Sequence, residues 1–91
     1  MEYEWGEAKR LANIHKHGID FVDVPAMFAS DITTVEDDRY SYGEQRFVTF
    51  GLLQGRGIAV VHVDLENCIR IISAGKATKY EQRTYFEQLS D

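Results

Sequence analysis

The sequence predicts an α+β fold in which an antiparallel β-sheet of four to five strands packs with two N-terminal helices and one C-terminal helix. Three observations lead to this prediction. Apolar residues recur at helical spacing only towards the two ends of the chain, apolar or alternating runs fill the stretch from 45 to 74, and Gly- or Asn-containing segments separate those runs. Because the chain has 91 residues, we expect a single domain over residues 1–91 with one core.

The N-terminal part of the chain predicts a short strand and two helices. Tyr3 and Trp5 alternate with acidic residues, which indicates the strand. Residues 7–17 have helical spacing, with Leu11 expected in the core, and Gly18 is suited to ending the helix because glycine accepts a left-handed conformation. Asp20 is placed to cap a second short helix that ends near residue 28.

After a second strand and a polar loop that ends at Glu44, the rest of the chain predicts a β-meander followed by a helix. Thr78 and Glu81 have the spacing of a capping box, so we expect the last helix to begin there and to run to about residue 89. Turns are expected at 55–57 and 65–67 because glycine or asparagine interrupts the apolar runs. The predicted strands are 32–36, 45–54, 58–64 and 68–74.

The last two strands can pair in two registers. A two-residue turn places Val63 beside Arg70, whereas a three-residue turn pairs Val61 with Ile71 and puts His62 beside Arg70. We choose the three-residue turn because it separates apolar from polar side chains. It predicts that Ile71 lies in the core, and that His62 and Arg70 share an open face that Arg46 of the neighbouring strand could join.

Composition and charge limit the class of protein. The hydrophobic content of 44% excludes a disordered chain, and the longest apolar run, Ile58 to Val61, is too short to span a membrane. The N-terminal residues lack the basic and apolar regions of a signal peptide, so we expect a cytoplasmic protein. Cys68 is the only cysteine and cannot form an internal disulfide, and no Cys/His spacing resembles a zinc site.

The net charge of −5 argues against a simple nucleic-acid-binding protein. The charge is uneven, however. Residues 1–45 hold four Lys and Arg against ten Asp and Glu, whereas residues 46–91 hold six against five. Any anion-binding surface is therefore expected in the second half, and the acidic first half either attracts a basic protein partner or is only a solvated surface.

Several segments together resemble the BrnT family of bacterial toxins from type II toxin–antitoxin modules. The resemblance extends from Trp5 to Tyr85, and its specificity comes from the combination of segments. The matching segments are Asn13-Ile14-His15-Lys16-His17-Gly18-Ile19-Asp20-Phe21, Glu44-Gln45-Arg46, Ile69-Arg70-Ile71-Ile72-Ser73-Ala74, and Lys76-Ala77-Thr78-Lys79 with Glu81.

This resemblance implies a RelE-like fold, with an antiparallel sheet and helices packed on one side. It implies a metal-independent endoribonuclease that inhibits translation and uses no cofactor. It also implies a cognate antitoxin, a BrnA-like DNA-binding protein of ribbon-helix-helix type, and operator DNA bound only through that antitoxin.

The sequence departs from the family pattern at three positions. Gly75 stands where members have an arginine, Leu65 stands at a second arginine position, and Gly6 replaces a usual aspartate. If the missing arginines bind the scissile phosphate, activity is reduced. The alternative function is therefore a catalytically weakened or silent binding module that acts as co-repressor with its antitoxin.

Metal-free RNA cleavage requires a base, cations that stabilise the pentacoordinate phosphate, and an acid for the leaving oxygen. Guanidinium groups match phosphate geometry, so Arg46 and Arg70 are the expected catalytic cations. Lys76, Lys79 and Arg83 lie near the start of the last helix, where phosphate binding is favoured, although Lys79 and Arg83 could instead form a solvated helix face.

The candidate acids and bases each have a structural alternative. His62 interrupts an apolar strand and is either a general acid or base or a partly exposed sheet residue. Glu44 is either the base or only a partner of Arg46, and Tyr85 either binds phosphate or packs. Further possible site residues are Lys16 and His17 at the end of the first helix, and Tyr40 and Tyr42, which could stack on RNA bases or contact the antitoxin.

Overall fold

The computed structural model describes residues 1–39 and 41–90, with the backbone alone at 86 and 88–90. Five strands and three α-helices are found in this part of the chain, together with a 3₁₀ turn at Phe21–Asp23. The elements are β1 (Glu2–Glu4), α1 (Glu7–His17), α2 (Val24–Phe28), β2 (Thr33–Asp37), β3 (Arg46–Leu53), β4 (Arg56–Leu65), β5 (Cys68–Lys76) and α3 (Lys79–Ser90).

The sheet is mixed, so the expectation of a purely antiparallel sheet is wrong. The strand order is β1-β5-β4-β3-β2. The antiparallel meander that the sequence predicts is formed by β3, β4 and β5, and β2 adds to it antiparallel to β3. β1 instead runs parallel to β5, with Glu4 opposite Arg70. The local turn signals reveal the meander, but nothing near Tyr3 specifies a partner strand more than 60 residues away.

The predicted register of β4 and β5 is also wrong. Only Glu66 and Asn67 form the turn, Asn67 has a positive φ of 60°, and Val63 therefore pairs with Arg70. The pairing is also interrupted by a bulge: Val61 pairs with Ser73, whereas the next residue, His62, pairs with Ile71, so Ile72 of β5 is an extra residue. As a result His62 points into the core, whereas the sequence analysis placed it on an open face.

The turn between β3 and β4 is shorter than predicted. Gln54 and Gly55 form it, both with positive φ, which is the geometry of a two-residue hairpin turn. Arg56 thus begins β4, in place of the turn expected at residues 55–57.

The helix boundaries agree well with the sequence analysis. Gly18 ends α1 with a φ of 73°, and the Asp20 side chain accepts a hydrogen bond from the Val22 amide. The capping box of α3 is present, because Thr78 N–H donates to Glu81 Oε1 and Glu81 N–H donates to Thr78 Oγ1.

The inward face of α1 differs from the predicted one. Leu11 is 54% exposed, whereas Asn13 is buried. Asn13 donates to the Ala74 carbonyl at 2.8 Å, accepts from the Ala74 amide at 3.1 Å, and also donates to the Ile19 carbonyl at 2.8 Å. The Asn13 side-chain amide therefore makes the hydrogen bonds to the β5 backbone that a neighbouring strand would make, at a point that β1 does not reach.

Helices cover both faces of the sheet, which corrects the expectation that all helices pack on one side. One hydrophobic cluster joins the region of α2 to residues such as Ile58, Val60 and Ile71. The second cluster lies on the other face, where Tyr85 of α3 packs with Val48 and Phe50. Because neighbouring strand residues point to opposite faces, β4 supplies side chains to both clusters.

Candidate functional site

Two of the predicted catalytic residues lie on the same face of the sheet. Asp37 pairs with Arg46, Val63 pairs with Arg70, and Arg70 pairs with Glu4. Phe47 of β3 pairs with His62 of β4, so the residue before Phe47, which is Arg46, lies beside Val63. These residues form one row across five strands, and two strand spacings separate Arg46 from Arg70 by about 10 Å.

Each arginine of this row is paired with a carboxylate. Arg46 Nε donates to Glu44 Oε2 at 3.0 Å, and its guanidinium lies 4.2 Å from the centroid of the Tyr42 ring. Arg70 Nε donates to Glu4 Oε2 at 2.8 Å. We call the four residues Glu4, Glu44, Arg46 and Arg70 the arginine face.

The charges of the arginine face act on one another. The hydrogen bond to Glu4, the Glu4 charge and, more weakly, the Glu44 charge raise the pKa of Arg70. Hydrogen bonds from Arg70 and Cys68 lower the pKa of the Glu4 carboxyl, so this group is an anion at neutral pH. The face therefore combines guanidinium and carboxylate groups that are held in place by their mutual hydrogen bonds.

His62 does not join the arginine face. It is 2% exposed and contacts the rings of Phe28 and Phe47. Its Nε2 lies 2.7 Å from Thr49 Oγ1, and its Nδ1 lies 2.7 Å from Asp64 Oδ1. Because a carboxylate can only accept, Nδ1 carries the proton and the Thr49 hydroxyl donates to Nε2.

The order hydroxyl, imidazole and carboxylate resembles a hydrolase triad, but the hydroxyl is inaccessible. Thr49 is completely buried and lines none of the described cavities. Burial lowers the pKa of His62, and the hydrogen bond to Asp64 opposes this effect. The geometry supports a satisfied core histidine, and a catalytic role for His62 stays a prediction.

A second group of cations surrounds the start of α3. A cleft of about 600 Å³ lies between this helix and the β3–β4 turn. Arg56, Lys76 and Lys79 line it, and no acidic side chain does. Within the described part of the chain none of the three forms an ion pair. We call these three residues and their cleft the basic cleft.

The other predicted RNA-binding residues lie outside the basic cleft. Arg83 is exposed on α3 and does not line the cleft. Tyr85 is buried and donates its hydroxyl to the Asp31 carbonyl at 2.7 Å, which favours the packing alternative. Lys16 and His17 line a separate cavity of about 220 Å³ beside β5. Tyr40 lies outside the described residues.

The predicted site residues thus separate into two groups. Lys76 follows Arg70 by six residues along β5, a distance of about 20 Å in a strand. The sequence analysis missed Glu4, because only the parallel pairing of β1 brings it to Arg70. It also missed Arg56, because that residue was assigned to the turn.

The described residues provide no obvious metal centre or membrane span. Across residues 1–39 and 41–90, no three His, Cys, Asp or Glu side chains are arranged to hold a metal ion. None of the helices described here is long and apolar enough to cross a bilayer.

Comparison with known proteins identifies the family. The family model described as the ribonuclease toxin BrnT of type II toxin–antitoxin systems matches residues 5–81, which include the three cations of the basic cleft and, except for Glu4, the arginine face. None of the curated proteins matches the chain. Because the family match covers most of the sequence, the chain belongs to the BrnT family of ribonuclease toxins.

Proposed function

We propose that the protein is a metal-independent endoribonuclease toxin that cleaves RNA on its arginine face and thereby inhibits translation in the cytoplasm. The observation that carries this proposal is that two guanidinium–carboxylate pairs lie on one face of the sheet. Arg46 pairs with Glu44, and Arg70 pairs with Glu4. Such a face offers both a proton acceptor and cations for a phosphate, which is what metal-free RNA cleavage requires.

In the proposed reaction Glu44 accepts the proton of the ribose 2′-hydroxyl. The 2′-oxygen attacks the adjacent phosphorus, the bond from phosphorus to the 5′-oxygen breaks, and water protonates the leaving oxygen. The products are a 2′,3′-cyclic phosphate and a 5′-hydroxyl. Arg46 and Arg70 stabilise the charge of the pentacoordinate phosphate, since guanidinium groups can bond two phosphate oxygens at once.

The basic cleft holds a more distant part of the RNA in this proposal. Lys76, Lys79 and Arg56 have no carboxylate partner among the described residues, so they are available to phosphates. The cleft also adjoins the first turn of α3, where the helix dipole favours an anion. Arg83 extends this cationic surface along the helix.

The proposed partners are an antitoxin and, through it, DNA. Type II toxin–antitoxin systems pair each toxin with a protein antitoxin, and we propose a BrnA-like ribbon-helix-helix protein that also binds the operator. The toxin itself has a net charge of −5, so it is expected to reach DNA only in complex with the antitoxin.

The test is cleavage of a structured RNA by the purified protein in EDTA. Cleavage should persist in EDTA, and Arg70→Ala should lower its rate by about 10²–10³-fold, the usual cost of losing a group that stabilises transition-state charge. Loss of wild-type cleavage in EDTA would point to a metal. Full activity of Arg70→Ala would move the site to the basic cleft.

A second candidate function is a catalytically silent co-repressor. One observation favours it, since carboxylates already pair with Arg46 and Arg70. The expectation from the resemblance that arginines belong at positions 65 and 75, where this chain has Leu65 and Gly75, agrees with it. Induction of the protein without antitoxin distinguishes the two functions. Growth arrest that Arg70→Ala abolishes supports the ribonuclease, whereas unimpaired growth together with operator repression by the complex supports the co-repressor.

A further inference from the structure

A groove lies on the other side of α3 from the basic cleft. It has a volume of about 240 Å³ and runs between the helix and β2. Buried Val48 and Phe50 are among its lining residues. Val35 and Tyr80 also line it, and they are 38% and 77% exposed. The groove thus presents apolar side chains that the described chain leaves open to solvent.

The charges of this groove are opposite to those of the basic cleft. Its acidic lining residues are Glu36, Asp37, Asp38 and Glu81, and Arg39 is its only basic one. Arg39 is already bonded to Asp37, whose pKa falls to about 2 chiefly because of that hydrogen bond. We call this site the acidic groove. Its charge repels nucleic acid and attracts a cationic protein segment.

The backbone next to the acidic groove offers a further means of recognition. β2 is the edge strand of the sheet, and its outer side has no neighbouring strand among the described residues. An extended segment can add to such an edge by main-chain hydrogen bonds and place alternate side chains into adjacent pockets. The acidic groove and the edge of β2 would then be used by the same partner segment.

We propose that the antitoxin binds the acidic groove with a cationic segment, which pairs with the edge of β2 and buries an apolar residue against Val35 and Tyr80. This inference rests on the proposed pairing of the toxin with an antitoxin. The acidic lining of the groove and its exposed apolar side chains fit a cationic segment that carries an apolar residue. At its far end β2 reaches Asp37, which pairs with Arg46, so a bound segment ends next to the arginine face.

The test measures binding of the cognate antitoxin, immobilised on a sensor surface, to purified toxin variants at low and high salt. Glu36→Lys combined with Asp38→Lys should weaken binding by about 10–100-fold and flatten its salt dependence, because like charges oppose association. Tyr80→Ala should weaken binding by about tenfold, as expected for a central aromatic contact. These residues are exposed, so the melting temperature should be unchanged.

Matched controls separate the groove from general surface effects. Asp23→Lys combined with Glu66→Lys makes the same change of charge at two exposed positions away from the groove, and Leu11→Ala removes an exposed apolar side chain there; both control variants should bind like wild type. Wild-type binding by all groove variants would overturn the proposal. A changed self-association of the toxin, with antitoxin binding intact, would overturn it too, because it would make a second copy the occupant.

The assay also distinguishes this inference from the proposed ribonuclease. Groove variants of the free toxin should cleave RNA at the wild-type rate, since none of them belongs to the arginine face. If wild-type protein fails to cleave RNA but the groove variants lose antitoxin binding, the ribonuclease proposal fails and the docking site is supported.

Discussion

Two cationic regions lie at opposite ends of β5, and they differ in how their charges are partnered. On the arginine face, Arg46 and Arg70 are each hydrogen-bonded to a carboxylate. In the basic cleft, Arg56, Lys76 and Lys79 have no ion-pair partner in the described part of the chain. The types of their basic residues alone would therefore not distinguish the two regions.

This difference in ion pairing indicates that the two regions have different roles towards RNA. A carboxylate beside a guanidinium lowers the attraction for a phosphate, but it keeps the guanidinium in place and supplies a proton acceptor. Unpaired lysines and arginines attract phosphates more strongly and perform no proton transfer. We therefore propose that the arginine face performs the cleavage step and that the basic cleft binds the RNA strand.

The largest effect should come from Glu44. Glu44→Gln removes the proposed base while leaving a hydrogen-bond acceptor for Arg46, so the rate constant for RNA cleavage should fall by roughly 10²–10⁴-fold. Affinity for RNA should rise, because Arg46 loses its competing negative charge. Single-turnover kinetics together with binding of a non-cleavable 2′-deoxy analogue measure the two effects separately.

Glu66→Gln, in the exposed β4–β5 turn, is the matched control for the loss of one carboxylate. It should change neither the rate nor the affinity. A wild-type rate for Glu44→Gln would show that Glu44 only pairs with Arg46. Cleavage on the arginine face would then need another base, such as Glu4.

Arginine at Leu65 or Gly75, the two positions where the resemblance leads us to expect one, should have the next largest effect, and the two positions should differ. Leu65 is 39% exposed and alternates with Val63 on β4, so its side chain lies on the arginine face. Leu65→Arg should raise the cleavage rate by about tenfold or more, the effect of one added charge-assisted hydrogen bond to the phosphate.

Gly75 lies towards the other end of β5. A Cβ atom there would be 3.2 Å from Nδ1 of His17, so the imidazole ring must move by a few tenths of an ångström to admit a side chain. Gly75→Arg should therefore raise the rate less than Leu65→Arg, and Gly75→Ala is its steric control. A larger gain from Gly75→Arg would place the cleavage site nearer to α1 and the basic cleft.

Substitutions in the basic cleft should have smaller effects, and on binding alone. Lys76→Ala and Lys79→Ala should each raise KM several-fold at unchanged kcat. Each should also reduce the slope of log affinity against log salt by about 0.7, the value for one phosphate contact with a single strand. Arg83→Ala, outside the cleft lining, should have less effect. A fall in kcat with unchanged KM would assign the cleft a catalytic role.

Features set by neighbouring residues could be predicted from the sequence. The capping box at Thr78, the end of α1 at Gly18 and the three later hairpin strands all depend on such local signals. The parallel pairing of β1 could not be predicted, since it depends on contacts between distant segments. Leu11 shows a further limit, because α1 packs through the hydrogen bonds of Asn13 rather than through an apolar stripe.

The candidate site was predicted only in part for the same reason. Arg46 and Arg70 were expected on one face, and they are, although Arg70 shares that face with Val63 rather than with His62. Polarity alone suggested that His62 is exposed. A bulge and two well-placed partners, Thr49 and Asp64, can satisfy an imidazole in the core, and these partners are not apparent from the spacing of polar and apolar residues.

The smallest expected effect concerns stability and tests whether His62 belongs to the scaffold or to the site. Burial lowers the pKa of His62 in the folded protein below the usual value of about 6.5, so the unfolded chain binds its proton first as the pH falls. The neutral imidazole therefore contributes stability that is complete above about pH 6.5 and is lost between that pH and the lower folded pKa. Urea unfolding from pH 7.5 to 5 should show this loss for wild type and a flatter profile for His62→Gln, with exposed His15→Gln as the control. If His62→Gln retains the wild-type pH profile of stability but loses RNA cleavage, His62 acts in the reaction, and the assignment of catalysis to the arginine face alone must be revised.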